Sequence, residues 1–192
     1  AYNADAMILP FQNISMYETV NSNKYEYAEQ IKILLQKPDI VIAPVKVLLE
    51  KFPSPDFLLK NKITVKVGDE IDTKDFAQKL VNLGYKRATM VSDIAEFSVR
   101  GDIIDVFSLD QNPVRIELWG DEVVDIRYFN NETQKSVEKV KEAEILPVYK
   151  FLAGDTSKFS EEEGYFEGIE VYQSFFNSEL ASVLDYFNDY II

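Results

Sequence analysis

Three features of the 192-residue sequence predict an α/β fold, a partial α/β domain carrying an inserted α+β module built on a mainly antiparallel sheet. The first is the short apolar run Ile40-Val41-Ile42-Ala43 between two helical stretches, the pattern of a strand buried on both faces of a parallel sheet. The second is residues 96–129, EFSVRGDIIDVFSLDQNPVRIELWGDEVVDIRYF, where apolar and polar residues alternate with the period of half-buried strands. The third is the return of apolar character after an acidic stretch near the end, which packs the tail back on the first domain. Residues 1–50 plus 150–192 are then the support domain, and 51–149 the inserted module.

In chain order, residues 1–20 begin abruptly, with no strand–loop–helix unit preceding them, and at least one partner strand for Ile40–Ala43 is expected to be missing upstream. Asn21 and Ser22 are good caps for a helix from about Asn23 to Gln36, with Tyr27, Ile31, Leu34 and Leu35 on one face and Pro38 as the stop. Pro44 suits the first turn of a helix from Val45 to about Lys51. The two prolines of Phe52-Pro53-Ser54-Pro55 favour an extended linker and mark the boundary. Lys62–Val67 alternates like a strand, and Gly68-Asp69-Glu70 turns the chain. Asp72 or Thr73 then caps a helix with Phe76, Ala77, Leu80 and Val81 as its apolar stripe, and Gly84 sits where a left-handed cap belongs. A strand around Ala88–Val91 leads into the alternating segment. Asn130–Lys141 reads as a turn plus a short helix, and Ile145-Leu146-Pro147 as a closing strand. Ala153–Gly164 reads as a solvated loop, followed by a strand near Ile169–Tyr172, a helix near Ser178–Tyr186 and a last strand at Tyr190–Ile192.

The last hairpin of the alternating segment can be given a register. A two-residue turn at Gly120-Asp121 would set Ile116 opposite Asp125, mixing core and solvent on one face. A three-residue loop, Gly120-Asp121-Glu122, aligns Leu118 with Val124, Ile116 with Ile126 and Val114 with Tyr128, and is preferred because register follows the buried face. The other face then carries Arg115, Glu117, Trp119, Asp125 and Arg127, with the diagonals Arg115–Asp125 and Glu117–Arg127 offsetting like charges directly opposite. Trp119 there is an interface anchor or is covered by another segment of its own chain.

Twenty basic and 33 acidic residues leave a net charge of −13 and no basic cluster, which disfavours direct DNA binding. The sequence has neither cysteine nor histidine, so a zinc site is improbable and histidine acid/base chemistry is excluded. No run reaches the roughly 20 apolar residues of a membrane helix, and a soluble, cytoplasmic protein without membrane contact is expected. The seven glycines are followed by Asp, Tyr or Ile, never Lys, so the chain contains no phosphate-binding G-x-x-x-x-G-K-[ST] loop. Acidic pairs such as Asp102 with Asp105 read as surface solubilisers, and Arg100-Gly101-Asp102 as a chance tripeptide. No enzyme activity, cofactor or metal is expected. Arg87 and Arg100 are rare positive charges beside strands, suited either to gripping a partner's carboxylate or to an internal ion pair.

These residues carry a resemblance. Gly84-Tyr85, Arg87, VRGDIIDVF at Val99–Phe107, PVRIELWGDE at Pro113–Glu122, IRYF at Ile126–Phe129, ETQKS at Glu132–Ser136 and ILP at Ile145–Pro147 run in order through one stretch. The series resembles the module shared by the excision-repair protein UvrB and the bacterial transcription-repair coupling factors (Mfd). APVKVLLEKFP at Ala43–Pro53 and GIEVYQSFFNSELASVLDYF at Gly168–Phe187 resemble the coupling factors' flanks. The resemblance implies a degenerate RecA-like, UvrB-domain-1-like support domain and a UvrA-binding module. It implies UvrA contacts at Arg87, Arg100, Arg115, Glu117 and Leu118, to which Trp119 is added from the strand pattern. A further arginine position of the family is Ser98 here. The second expectation is an autoinhibitory clamp that packs on the translocase domains of the same protein.

Overall fold

The structure, a computed structural model, describes residues 4–11, 23–110, 112–148 and 180–187. The chain divides into two units, Ala1–Lys60 with Asp155–Ile192, and Asn61–Gly154.

In the first unit, β1 (Ala6–Ile8) pairs in parallel with β2 (Ile40–Ile42), Ala6 beside Ile40 and Ile8 beside Ile42. A parallel partner therefore lies within Ala6–Ile8, a stretch to which the sequence pattern assigns no strand; three residues are too few to show a period. Ile8, Ile40 and Ile42 are exposed, so the expected burial on both faces is not found among the described residues. Helix α1 (Asn23–Gln36) buries Tyr27, Ile31 and Leu34 and half-buries Leu35. It stops at Lys37, whose φ of +49° breaks the helical path just before Pro38. Asn21 and Ser22 lie outside the described residues. Helix α2 is Val45–Leu48, with Pro44 as its N-cap.

The expected extended linker is instead a strand and a helix. β3 (Phe52–Pro53) pairs antiparallel with β12 (Leu180–Ala181). Pro55 opens α3 (Pro55–Asn61), where a missing N–H costs nothing, and the Ser54 hydroxyl accepts the Phe57 N–H at 3.1 Å. In the tail, β12 and a 3-10 turn at Val183–Tyr186 replace the helix expected near Ser178–Tyr186, and the buried Tyr186 hydroxyl donates to the Pro53 carbonyl. The loop expected at Ala153–Gly164 and the strands expected near Ile169–Tyr172 and Tyr190–Ile192 lie outside the described residues.

The second unit is mixed α and β with a mainly antiparallel sheet. β4 (Ile63–Lys66) pairs antiparallel with β11 (Glu142–Ile145). Helix α4 (Thr73–Asn82) starts at Asp72, whose carboxylate accepts the N–H groups of Lys74 and Asp75 at 2.8 and 2.9 Å. Its buried stripe is Phe76 and Leu80 with Ala77 half-buried, while Val81 is exposed; Gly84, at φ +97°, turns the chain out of the helix. Six strands follow in the spatial order β10-β9-β8-β7-β6-β5: β5 (Lys86–Arg87), β6 (Glu96–Arg100), β7 (Ile103–Val106), β8 (Val114–Trp119), β9 (Glu122–Phe129) and β10 (Ser136–Val140). All neighbours are antiparallel except β5 and β6. The strand expected at Ala88–Val91 is thus displaced to Lys86–Arg87. The short helix expected within 130–141 is the edge strand β10, because Ser136–Val140 finds an open ladder beside β9.

One face of this sheet meets α4. Phe97, Ile104, Val106, Val114, Ile116, Leu118, Val123 and Ile126 form one core with Phe76, Leu80 and Tyr85. The hairpin register is as expected for Val114–Tyr128, Arg115–Arg127, Ile116–Ile126 and Glu117–Asp125, but it then shifts so that Leu118 faces Val123 and Trp119 faces Glu122. The three-residue loop is therefore corrected to a two-residue turn at Gly120-Asp121 plus a bulge at Val124. Gly120 at φ +64° supplies the left-handed first position that tight hairpins favour, and the bulge restores the alternation the turn would otherwise break.

The bulge makes a prediction. Val123→Ala removes side chain from a fully buried site and is expected to cost about 2 kcal/mol, whereas Val124→Ala, 45% exposed, should change stability by no more than about 0.5 kcal/mol. Urea unfolding of the two variants checks it, and equal costs would contradict the bulged register. The Asp72 cap makes another. The two backbone N–H donors hold its carboxyl below the ordinary carboxylate range. Its support for α4 is therefore complete above the unfolded-state value and lost as pH falls through the folded one. The protection factors of the Lys74 and Asp75 amides, taken relative to the intrinsic exchange rate at each pH, should fall on acidification through that range, and Asp72→Ala should remove that dependence.

Candidate functional site

Alternation sends every second residue of the sheet away from the core. Register then lines up Ser98, Asp105, Arg115, Arg127 and Lys139 across five strands, with Arg100, Glu117 and Asp125 in the adjoining row. Arg115 stands directly opposite Arg127 and Glu117 opposite Asp125, so the face is stable only if each charge finds another partner.

It does so in two groups. Arg127 bridges Glu117 at 2.5 Å and Asp125 at 3.0 Å, and Lys139 reaches Asp125 at 2.8 Å. The expected diagonal Glu117–Arg127 is present; Arg115 turns the other way, to β7. There Asp105, with 0% side-chain exposure, receives Arg115 through two parallel bonds, Nε to Oδ1 at 2.7 Å and Nη2 to Oδ2 at 2.9 Å. Arg100 adds a third, Nη2 to Oδ2 at 2.6 Å. The bonds from Asp105 raise the Arg115 pKa further above its already high value. Arg115 also lies 4.6 Å over the centre of the Phe129 ring and donates to the carbonyl and side-chain oxygens of Gln134 at 3.4 and 3.3 Å. The Gln134 amide in turn donates to the Val91 carbonyl at 2.9 Å, and the Asn131 amide to the Ser92 carbonyl at 2.9 Å. The loop after β9 is thereby tied to the loop before β6. Ser98 is buried, with its hydroxyl unpartnered.

The six site residues expected from the sequence separate under this geometry. Trp119 is 80% exposed at the hairpin end, so the possibility that its own chain covers it is not realised among the described residues. The Arg100 side chain is 44% exposed and makes one ion pair among the described residues. Glu117 is held by Arg127 and keeps a solvent-facing edge. Arg115, at 14% side-chain exposure, is committed to internal partners and braces the face instead of offering its fork outward. Leu118 is buried in the core and presents no surface. Arg87 is exposed and forms no ion pair among the described residues, but its register beside Phe97 places it at the β5 edge on the core side, away from Arg100. Asp105, expected as one of many surface carboxylates, is the most buried charge of the site. Its polar phase between Ile104 and Val106 was a usable signal; its partners became visible only through register.

The module has known relatives. Residues 63–151 match the family described as the UvrB interaction domain. A transcription-repair-coupling factor from Staphylococcus aureus (strain bovine RF122 / ET3-1) is 39% identical over 140 residues, 71% of this chain and 12% of that protein. One from Staphylococcus haemolyticus (strain JCSC1435) is 38% identical over 151 residues, 76% of this chain and 13% of that protein. The chain thus spans about an eighth of the length of these curated relatives.

The ion-pair geometry orders the stability costs. Arg115→Met leaves the buried Asp105 carboxylate with Arg100 alone and is expected to cost about 3 kcal/mol, while Trp119→Ala should stay within about 0.5 kcal/mol. Thermal and urea unfolding of the two variants measure the difference.

Proposed function

The module at residues 63–151 belongs to the UvrB interaction domain family, and from that premise we propose that it docks UvrA and so recruits excision repair, as part of a transcription-repair coupling factor. The observation that carries this reading is Arg100, a half-exposed guanidinium on a face whose other charges are internally matched, in a chain of net charge −13. Trp119 extends the surface as an exposed aromatic anchor at the hairpin end, the residue type that dominates interface energetics. Arg87 adds a second cation at the β5 edge. Arg115 and Asp105 serve beneath the surface as bracing.

The module acts by holding a partner and performs no bond chemistry of its own. The absence of a G-x-x-x-x-G-K-[ST] loop from this chain and of histidine from its 192 residues supports that reading. The acidic surface argues that DNA is met by the partner and not by this chain. The first unit, with its parallel β1–β2 pair, serves as the α/β domain that accompanies the module in the chain.

Titrating UvrA onto the immobilised chain tests the proposal. Loss of each arginine anchor is expected to cost about 2 kcal/mol, roughly thirtyfold in Kd, so the Arg87→Ala/Arg100→Ala variant should lose measurable binding while keeping its fold. Equal binding by wild type and variant would reject these two residues as the site.

A further inference from the structure

Two arginines share one buried carboxylate, and the two do not use it alike. Arg115 spends both edges of its fork on Asp105 and Gln134 and its flat face on Phe129. Arg100 touches Asp105 through Nη2 alone. Its remaining N–H donors have no ion-pair partner among the described residues, and the neighbouring Asp102 does not pair with it. The charges around them give the sign of what is left over. Glu117 and Asp125 are matched by Arg127 and Lys139, whereas the single negative charge of Asp105 faces two positive ones. The excess positive charge lies on the more exposed side chain, Arg100.

We propose that Asp105 is a positioning residue for the docking site: it pins one amino group of Arg100 against the sheet so that the rest of the guanidinium fork faces outward, set to receive a carboxylate of the partner protein. The inference rests on the docking reading given above. An arginine tied at one nitrogen has given up part of its rotamer freedom before the partner arrives, which lowers the entropy cost of binding. The free edge of the fork still fits a planar carboxylate through two parallel bonds. Arg115 makes this stable by offsetting, through two charge-assisted bonds of its own, the cost of holding the Asp105 carboxylate away from water.

The test is a double-mutant cycle on the full chain, with UvrA as the probe. Asp105→Asn is expected to weaken binding at least about tenfold in the wild-type background and to have almost no further effect when Arg100 is already alanine. Equal weakening in both backgrounds would show that Asp105 acts only on the fold and would overturn the inference. Amide NMR spectra establish that each variant retains the sheet. Where Asp105→Asn does not, Asp105→Glu takes its place in the same cycle, keeping the charge but displacing the carboxylate by one methylene. A partner-independent arm follows rotation about the Arg100 Cζ–Nε bond by NMR in the wild-type protein. It is expected to be slow relative to Arg87, and rotation equally fast in both would overturn the positioning role. If the wild type fails to bind UvrA, the docking reading falls, and the rotation measurement alone judges whether Asp105 holds Arg100.

Discussion

A carboxylate with no exposed surface, held between two guanidinium groups, is the constraint on which the second unit turns. Removing Asp105 from water is costly, and only charge-assisted bonds of good geometry offset that cost. The bonds require β6, β7 and β8 to lie side by side in one register, because Arg100, Asp105 and Arg115 each come from a different strand. A slip of one residue between β7 and β8 would send Asp105 toward the apolar core and Ile104 to the polar side. The ion cluster and the core on the opposite face therefore select the same pairing, and each penalises the alternatives to the other.

The same cluster fixes what the polar side can present. Arg115 is drawn inward by Asp105, and the Phe129 ring and the Gln134 amide close around it. Gln134, at φ +59°, holds the loop after β9 against the loop before β6, so a turn that would otherwise be free is anchored at both ends. What this face turns toward solvent includes the outer part of Arg100, one edge of Glu117, the Lys139 side chain, and Trp119 beyond the end of the core. A rigid sheet displaying a few incompletely satisfied groups suits recognition, since little ordering entropy is left to be lost on contact.

Much of this was legible in the alternation of residues 96–129, and the limits of that legibility are physical. Period-two patterning assigned Arg115, Glu117, Asp125 and Arg127 to one side of the hairpin in the observed cross-strand register, but of the two expected diagonal ion pairs only Glu117–Arg127 forms. It missed the bulge at Val124, since Val123 and Val124 are chemically identical and only three-dimensional packing decides which is buried. It misjudged Asp105 and Arg115 as surface charges because alternation reports the side of a sheet and not what lies over it; the covering loops are polar and carry no periodic signal. The two-residue strand β5 and the three-residue strands β1 and β2 were misplaced, missed or assigned the wrong burial for a related reason, being too short to display a period. The family series survives such errors, because motif order does not depend on knowing which residues are buried.

The separation of Arg87 from Arg100 constrains any single partner. Adjacent residues in a parallel ladder share a side, so Arg87 follows Phe97 toward the helical side of the sheet while Arg100 follows Ser98 to the other. A flat surface resting on the polar side reaches Arg100 and Trp119 but not Arg87. A partner that uses both arginines must wrap the β5 edge, and that edge is built to let it pass: β5 is two residues long and both are exposed, so the outer ladder offers little continuous backbone to obstruct or capture a passing chain. The opposite edge, β10, carries Glu138 and Lys139 along a longer strand, with Lys139 paired to Asp125, and is the less accessible way round. Contact at both arginines thus requires a concave or two-lobed partner surface approaching from the β5 side, a geometric demand set by the register of one short parallel pair.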